Sequence, residues 1–292
     1  MQGDHPELSD GYRGRGVGDD YNWYDPWYHT DDPTDWGGHG THTLGSALGN
    51  TVGVAPDAEW IGCVNLARNL ANPALYLDCL QFMMAPFPIG GDPFTDGESA
   101  LAAHVLNNSW GCPELEGCDP NALLPAVGAL RQAGIFVVAS AGNAGQAGCS
   151  TVDDPIALYD EVLTVGAIDP SGTIAAFSSR GPVTVDGSGR VKPDVVAPGV
   201  DILSSFPKST YRIESGTSMA GPHVAGVVAL MWSANPDLIG DIERTEQILL
   251  ETAQPLPEPL QSCGALDTLP NNTFGYGLVD AYRAVERALE LE

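Results

Sequence analysis

Short apolar runs alternate with helix-patterned stretches along most of this chain, and that alternation narrows the fold more than any other feature. "AEWIGCVNL" (58–66) reads as a strand, and "NPALYLDCLQFMMAP" (72–86) as a helix ended by proline. "AHVLNNSW" (103–110) is again strand-like, and "NALLPAVGALRQAG" (121–134) is a helix closing on glycine. "IFVVASAGN" (135–143) is a continuous apolar run of the kind a strand buried on both faces requires. "EVLTVGAI" (161–168) and "VVAPGVDILSS" (195–205) extend the strand series, and helices then dominate over 218–234, 241–253 and 280–292. Such alternation predicts an α/β fold: a three-layer arrangement of a mostly parallel sheet flanked by helices, with the site at the carboxyl ends of the strands.

At 292 residues, with no repeat and no low-complexity linker, the simplest organisation is one domain over 1–292. No stretch approaches the roughly 18 apolar residues of a membrane span. Lys192 and Lys208 are the only lysines and the net charge is −26, so a phosphate backbone would be repelled. Nucleic acid and membrane are therefore not expected partners. The same acidity fits a salt-rich environment, where screening relieves self-repulsion. The six cysteines lack zinc spacing and allow up to three bridges in an oxidising compartment. Only Cys112 and Cys118, on either side of "PELEG", suggest a local pair; in a reducing compartment all six would stay free.

Three segments carry candidate chemistry. In "WGGHGTHTLGSALG" (36–49), His39 and His42 are three residues apart, but no acidic residue stands between them to complete a metal set. A general base at a helix start, or two structural histidines, remain the readings. "VVASAGNAG" (137–145) places Asn143 at a strand's end, where it serves a turn or aims its amide at an oxyanion. In "ESGTSMAGPHVAGVVALMWS" (214–233), Ser218 is either a helix cap or a nucleophile set where the helix dipole favours negative charge. Pro222 is read as lying in the first helical turn.

Together and in this order, "GHGTHTLG", "NNSWG", "SAGNAG", "AAFSSRGP", "KPDVVAPGVDI" and "SGTSMAGPHVAGVVALM" resemble the subtilisin-like serine proteases, in the style of the bacillopeptidase F-like branch. The resemblance implies Ser218 as nucleophile, His39 as general base, and an oxyanion hole of Asn143 with the Ser218 N–H. It implies Ser109, Trp110 and Gly111 as an edge that pairs with an extended peptide, and Ala141 and Gly142 as the opposite wall of the specificity pocket. His42 and His223 would be structural, no cofactor or metal is implied, and a cis bond is expected near Asp154–Pro155. A peptide or protein is the implied substrate, with an extracellular location and an upstream pro-region.

One part of the family pattern does not match. Its third triad member is an aspartate in an Asp-(Ser/Thr)-Gly-(Val/Ile) motif ending an apolar strand ahead of a His-Pro-x-Leu element. "DHPEL" (4–8) is present without that strand, and Asp4 stands in the wrong place beside His5. Asp19, Asp20, Asp25, Asp31, Asp32 and Asp35 occupy a polar loop and are read as solvated or loop-capping groups. The expectation is thus an N-terminally incomplete peptidase domain whose central first strand is missing. The rival expectation is a non-catalytic peptide-binding pseudoprotease.

Overall fold

The computed structural model describes residues 1–68, 70–256, 262–264 and 268–291. Strands β1 (Trp23–Tyr24) and β2 (Gly62–Cys63) form a short parallel pair. Four further parallel strands, β3 (Val105–Asn108), β4 (Phe136–Ser140), β5 (Leu163–Ile168) and β6 (Val195–Pro198), lie in that spatial order. Strands β7 (Ile202–Phe206) and β8 (Thr210–Glu214) make an antiparallel hairpin. The helices are α1 (His39–Leu48), α2 (Pro73–Met84), α3 (Leu124–Gln132), α4 (Thr217–Ala234), α5 (Ile242–Thr252) and α6 (Ala281–Leu289). Glu292, the last residue of the helix expected over 280–292, lies outside the described residues.

Every residue of β4 and β5 is buried, as their unbroken apolar runs require. Alternation along β4 divides the core between two layers. Val137 and Ala139 pack with Leu80 of α2 and with Val127 and Leu130 of α3. Phe136 and Val138 pack with Val224 and Val228 of α4 and Ile248 of α5. Helices therefore cover both faces of the parallel sheet. Asn72 caps α2 by accepting from the Leu75 N–H at 3.2 Å, and Gly134 beyond α3 takes φ +78°, the left-handed turn that favours glycine.

Several sequence expectations are corrected. The strand expected over 58–66 narrows to Gly62–Cys63 and a single bridge from Trp60 to Tyr12, because its only ladder partner is the two-residue β1. The run 195–205 divides into β6 and β7, and β7 leaves the parallel sheet to pair with β8. That hairpin turns through Lys208 and Ser209, both at positive φ, without the glycine that would have signalled it. In this turn the cis peptide falls at Pro155–Ile156, one bond beyond the expected Asp154–Pro155, and three X–Pro bonds elsewhere among the described residues are also cis. All six cysteines are paired, as Cys63–Cys79, Cys112–Cys118 and Cys149–Cys263. The local pair was the only one the sequence suggested.

Strands β2 and β3 do not pair with each other. Between them opens a cavity of about 1300 Å³, lined by Ile61, Cys63 and Val64 on one side and by Val105 to Asn108 on the other. Trp232 of α4 also lines it. The same cavity runs on into the candidate site.

Candidate active site

Helix α4 begins where β8 ends, and its N-terminus is held from two directions. Asn143, just beyond β4, accepts through Oδ1 from the Thr217 N–H at 2.9 Å and from the Thr217 hydroxyl at 3.1 Å. A backbone N–H can only donate, so the oxygen must face Thr217 and the amide nitrogen is turned outward. The Gly142 N–H also reaches the Thr217 hydroxyl oxygen, at 3.2 Å. Thr217 is fully buried and joins the end of β4 to the start of α4. Ser218 follows it, with its N–H in the first helical turn, where no intrahelical acceptor exists.

Pro222 lies one turn deeper in α4 than the sequence reading placed it. Its missing N–H would have bonded to the carbonyl of Ser218, four residues earlier. That carbonyl instead accepts from the Ser109 hydroxyl at 2.9 Å, and the Ser109 oxygen in turn accepts from the Asn107 amide at 2.9 Å. The segment after β3 is thereby fastened to the residue that carries the candidate nucleophile. The Ser218 hydroxyl returns a weak bond to the Ser109 carbonyl at 3.3 Å.

His39 opens α1. The preceding loop is set by Asp35, whose carboxylate accepts from the N–H groups of Gly37 at 2.9 Å, Gly38 at 2.7 Å and Thr41 at 2.9 Å, and from the Thr41 hydroxyl at 2.6 Å. Of the two readings for this aspartate, loop-capping is the one that describes it. Gly38 takes φ +89° and lies against the Phe206 ring, so a side chain there would meet both strain and collision. Burial would raise the Asp35 carboxyl, but the Met1 ammonium and these donors outweigh it and hold the group down at about 2.

His39 lines the same cavity as Ser218 and Asn143. Desolvation by the surrounding protein pulls its pKa below the ordinary value, against the opposing pull of the Asp35 and Glu214 carboxylates. The neutral, proton-accepting imidazole is thus favoured. Among the described residues no hydrogen bond joins its ring to Ser218 or to a carboxylate. His42 faces away into the hairpin, its Nε2 within 3.1 Å of the carbonyls of Ile202 and Arg212. His223 bonds through Nδ1 to the Met219 carbonyl at 2.8 Å. Both histidines are tied into the scaffold.

Ser109, Trp110 and Gly111 line one wall of the cavity, and Ala141 and Gly142 also line it. Trp110 stacks on Tyr76 with ring centroids 4.1 Å apart. All eight residues singled out from the sequence therefore border one cleft. The sequence reading missed Thr217, Glu214, and the pair Asp153–Asp154, which border it too or, for Thr217, brace it from within. A hydroxyl beside the serine in "SGTSMA" was the only available sign of Thr217.

Ser218, His39 and Asn143, each at a helix start or just beyond a strand end, line one cleft beside the parallel sheet. The prenylagaramide maturation protease PagA shares the fold, with a TM-score of 0.70, 23% identity, and coverage of 99% of this chain and 90% of that one. The subtilase family profile, Peptidase S8, matches residues 1–277, and the chain belongs to that family. Bacillopeptidase F of Bacillus subtilis (strain 168) is 36% identical over 98% of the chain, which spans only 20% of that protein's length. Subtilisin DY of Bacillus licheniformis is 37% identical over 70% of the chain and 67% of its own length. A thermophilic serine proteinase of Bacillus sp. (strain AK1) is 33% identical over 96% of the chain and 58% of its own length.

Proposed function

We propose that this domain is a serine endopeptidase acting on peptides or proteins through a Ser218 acyl-enzyme. His39 takes the Ser218 proton as Oγ attacks the scissile carbonyl carbon. The Asn143 amide nitrogen and the Ser218 N–H donate to the oxyanion that forms. His39 returns the proton to the leaving amine, and water then hydrolyses the ester. The observation that carries this reading is the Thr217 lock on Asn143, which turns an amide donor outward beside the N-terminus of α4. Rotation of the Ser218 hydroxyl away from its 3.3 Å contact with Ser109 frees it for His39.

The reading also needs a carboxylate to orient His39. Asp35 is committed to the start of α1, so we assign that task to a strand seated between β2 and β3. The unpaired Asn107 Oδ1 at that cavity supports the assignment. The three disulfides support an oxidising, extracellular setting. Among the described residues no helix is long and apolar enough to cross a membrane.

The weak Ser218–Ser109 bond and the lack of a His39 partner favour the rival reading of a non-catalytic peptide binder. A fluorophosphonate separates the two, because only an activated serine reacts readily. The peptidase reading expects labelling at Ser218 that His39→Ala abolishes. Equal labelling of the parent and His39→Ala, or labelling at another residue, would overturn the assignment.

A further inference from the structure

We propose that the pocket between the Ser109–Gly111 wall and the Ala141–Gly142 wall takes a lysine or arginine side chain, so that cleavage follows a basic residue. This rests on the peptidase reading and names the substrate class of the same cleft.

The pocket's base is built by one backbone contact. The Cys112 N–H donates to the Pro155 carbonyl at 2.8 Å, which draws residues 153–155 beneath Gly111. A Cβ placed on Gly111 would lie 3.2 Å from Asp154 Oδ2, so the carboxylate rests directly against the glycine wall. Asp153 and Asp154 both line the cavity with Ser109, Trp110, Gly111, Ala141 and Gly142. Among the described residues neither carboxylate has an ion pair, and Asp153 accepts only from its own backbone N–H.

The two charges that act on Asp154, those of Asp153 and Glu116, are both negative. Glu116 lines the same cavity, but it is committed to structure, accepting from the Tyr76 hydroxyl at 2.8 Å and from the Ala71 N–H at 3.0 Å. Burial, then Asp153, then Glu116 push the Asp154 carboxyl above its usual range, and burial does the same to Asp153. The half-buried Asp154, which has no ion pair, gains from an incoming cation, and the exposed Asp153 beside it adds a second negative charge. An apolar side chain entering the pocket would strip their remaining water and return nothing. The long stem of Lys or Arg can lie along Gly111 and the Trp110–Tyr76 stack while its head meets the two aspartates. Discrimination thus comes from both the new ion pair and the rejection of neutral side chains.

The test uses Ala-Ala-Pro-X p-nitroanilides with X as Arg, Lys, Phe, Leu or Glu. Arg and Lys are expected to exceed Phe by at least about tenfold in kcat/KM. The Asp153→Asn/Asp154→Asn variant should lower the Arg-to-Phe ratio at least about tenfold. A parent that prefers Phe or Leu, or a ratio that the double variant does not move, would overturn the proposal. Binding of fluorescein-labelled Ala-Ala-Pro-Arg and Ala-Ala-Pro-Phe to the Ser218→Ala chain, read by anisotropy, needs no turnover. Arg-selective binding in a chain that cleaves none of the substrates would support the pocket and overturn the peptidase reading alone. Equal binding of the two peptides would overturn the pocket.

Discussion

On the Ser218 side of the cleft nearly every polar group is held, whereas the His39 side is held only by its backbone. Thr217 fixes Asn143 and Gly142, Ser109 fixes the carbonyl that Pro222 leaves free, and four parallel strands stand behind them. His39 sits on a well-capped helix, but its ring has no hydrogen-bonded partner among the described residues. The cavity between β2 and β3 also borders it. On the peptidase reading proposed above, the comparison separates two structural sources: oxyanion binding would rest on the elements around α4, and orientation of the base on a strand seated between β2 and β3.

Filling the sheet should therefore have the largest effect. Placing a strand that ends in Asp-Thr-Gly-Val ahead of Met1 is expected to raise turnover of a chromogenic peptide by about 10⁴-fold, the size known for the triad aspartate in trypsin. Thermal unfolding should sharpen at the same time, since the strand pairs backbone groups on both edges. If the 292-residue chain already melts cooperatively and cleaves at an ordinary protease rate, another acid serves His39 and the contrast disappears.

The held side should respond to smaller cuts. Asn143→Ala is expected to lower kcat by about 10²–10³-fold with little change in KM, a magnitude taken from the oxyanion-hole asparagine of subtilisin. Thr217→Val, which removes the hydroxyl shared by Gly142 and Asn143, should cost on the order of tenfold in kcat. A loss confined to KM would make Asn143 a turn residue and dissolve the distinction.

A separate effect, on stability rather than turnover, concerns the cap of α1. Asp35 is held at about 2, below the ordinary carboxyl value of about 4, so it is charged in the folded chain before it is in the unfolded one. Its contribution is complete above about pH 4 and is lost as pH falls toward 2. The roughly two-unit difference corresponds to about 2–3 kcal/mol. Urea midpoints of Asp35→Asn and the parent should diverge at neutral pH and converge in acid. Parallel curves would show that the carboxylate does not stabilise the helix start.

Local chemistry made most of the layers legible. The apolar run at 135–143, the proline after α2 and the glycine after α3 each act on their own neighbours, and each element formed where those residues point. The eight cleft residues were named from the resemblance, three of them also from their own segments, and each stands at the end of a strand or the start of a helix. What failed was anything fixed by a distant partner. Strand 58–66 shrank because strand length depends on who pairs with it, and β8 was missed because its turn uses Lys208 and Ser209.

The residue order and local patterning of this chain determined its class, its helices and the serine, histidine and asparagine that line one cleft. Tertiary structure alone decided that Glu7 would be buried and accept hydrogen bonds from Thr51 and from Tyr211, which stands 204 positions away. It also decided that Ser109 would complete the hydrogen bonding of the Ser218 carbonyl, that Cys149 would meet Cys263, and that Asp154 would rest against Gly111. These contacts join segments whose sequences carry no mark of each other. Their formation depends on chain path and on the burial of charges and carbonyls that must find a partner, and that partner is named only when the sheet has placed it.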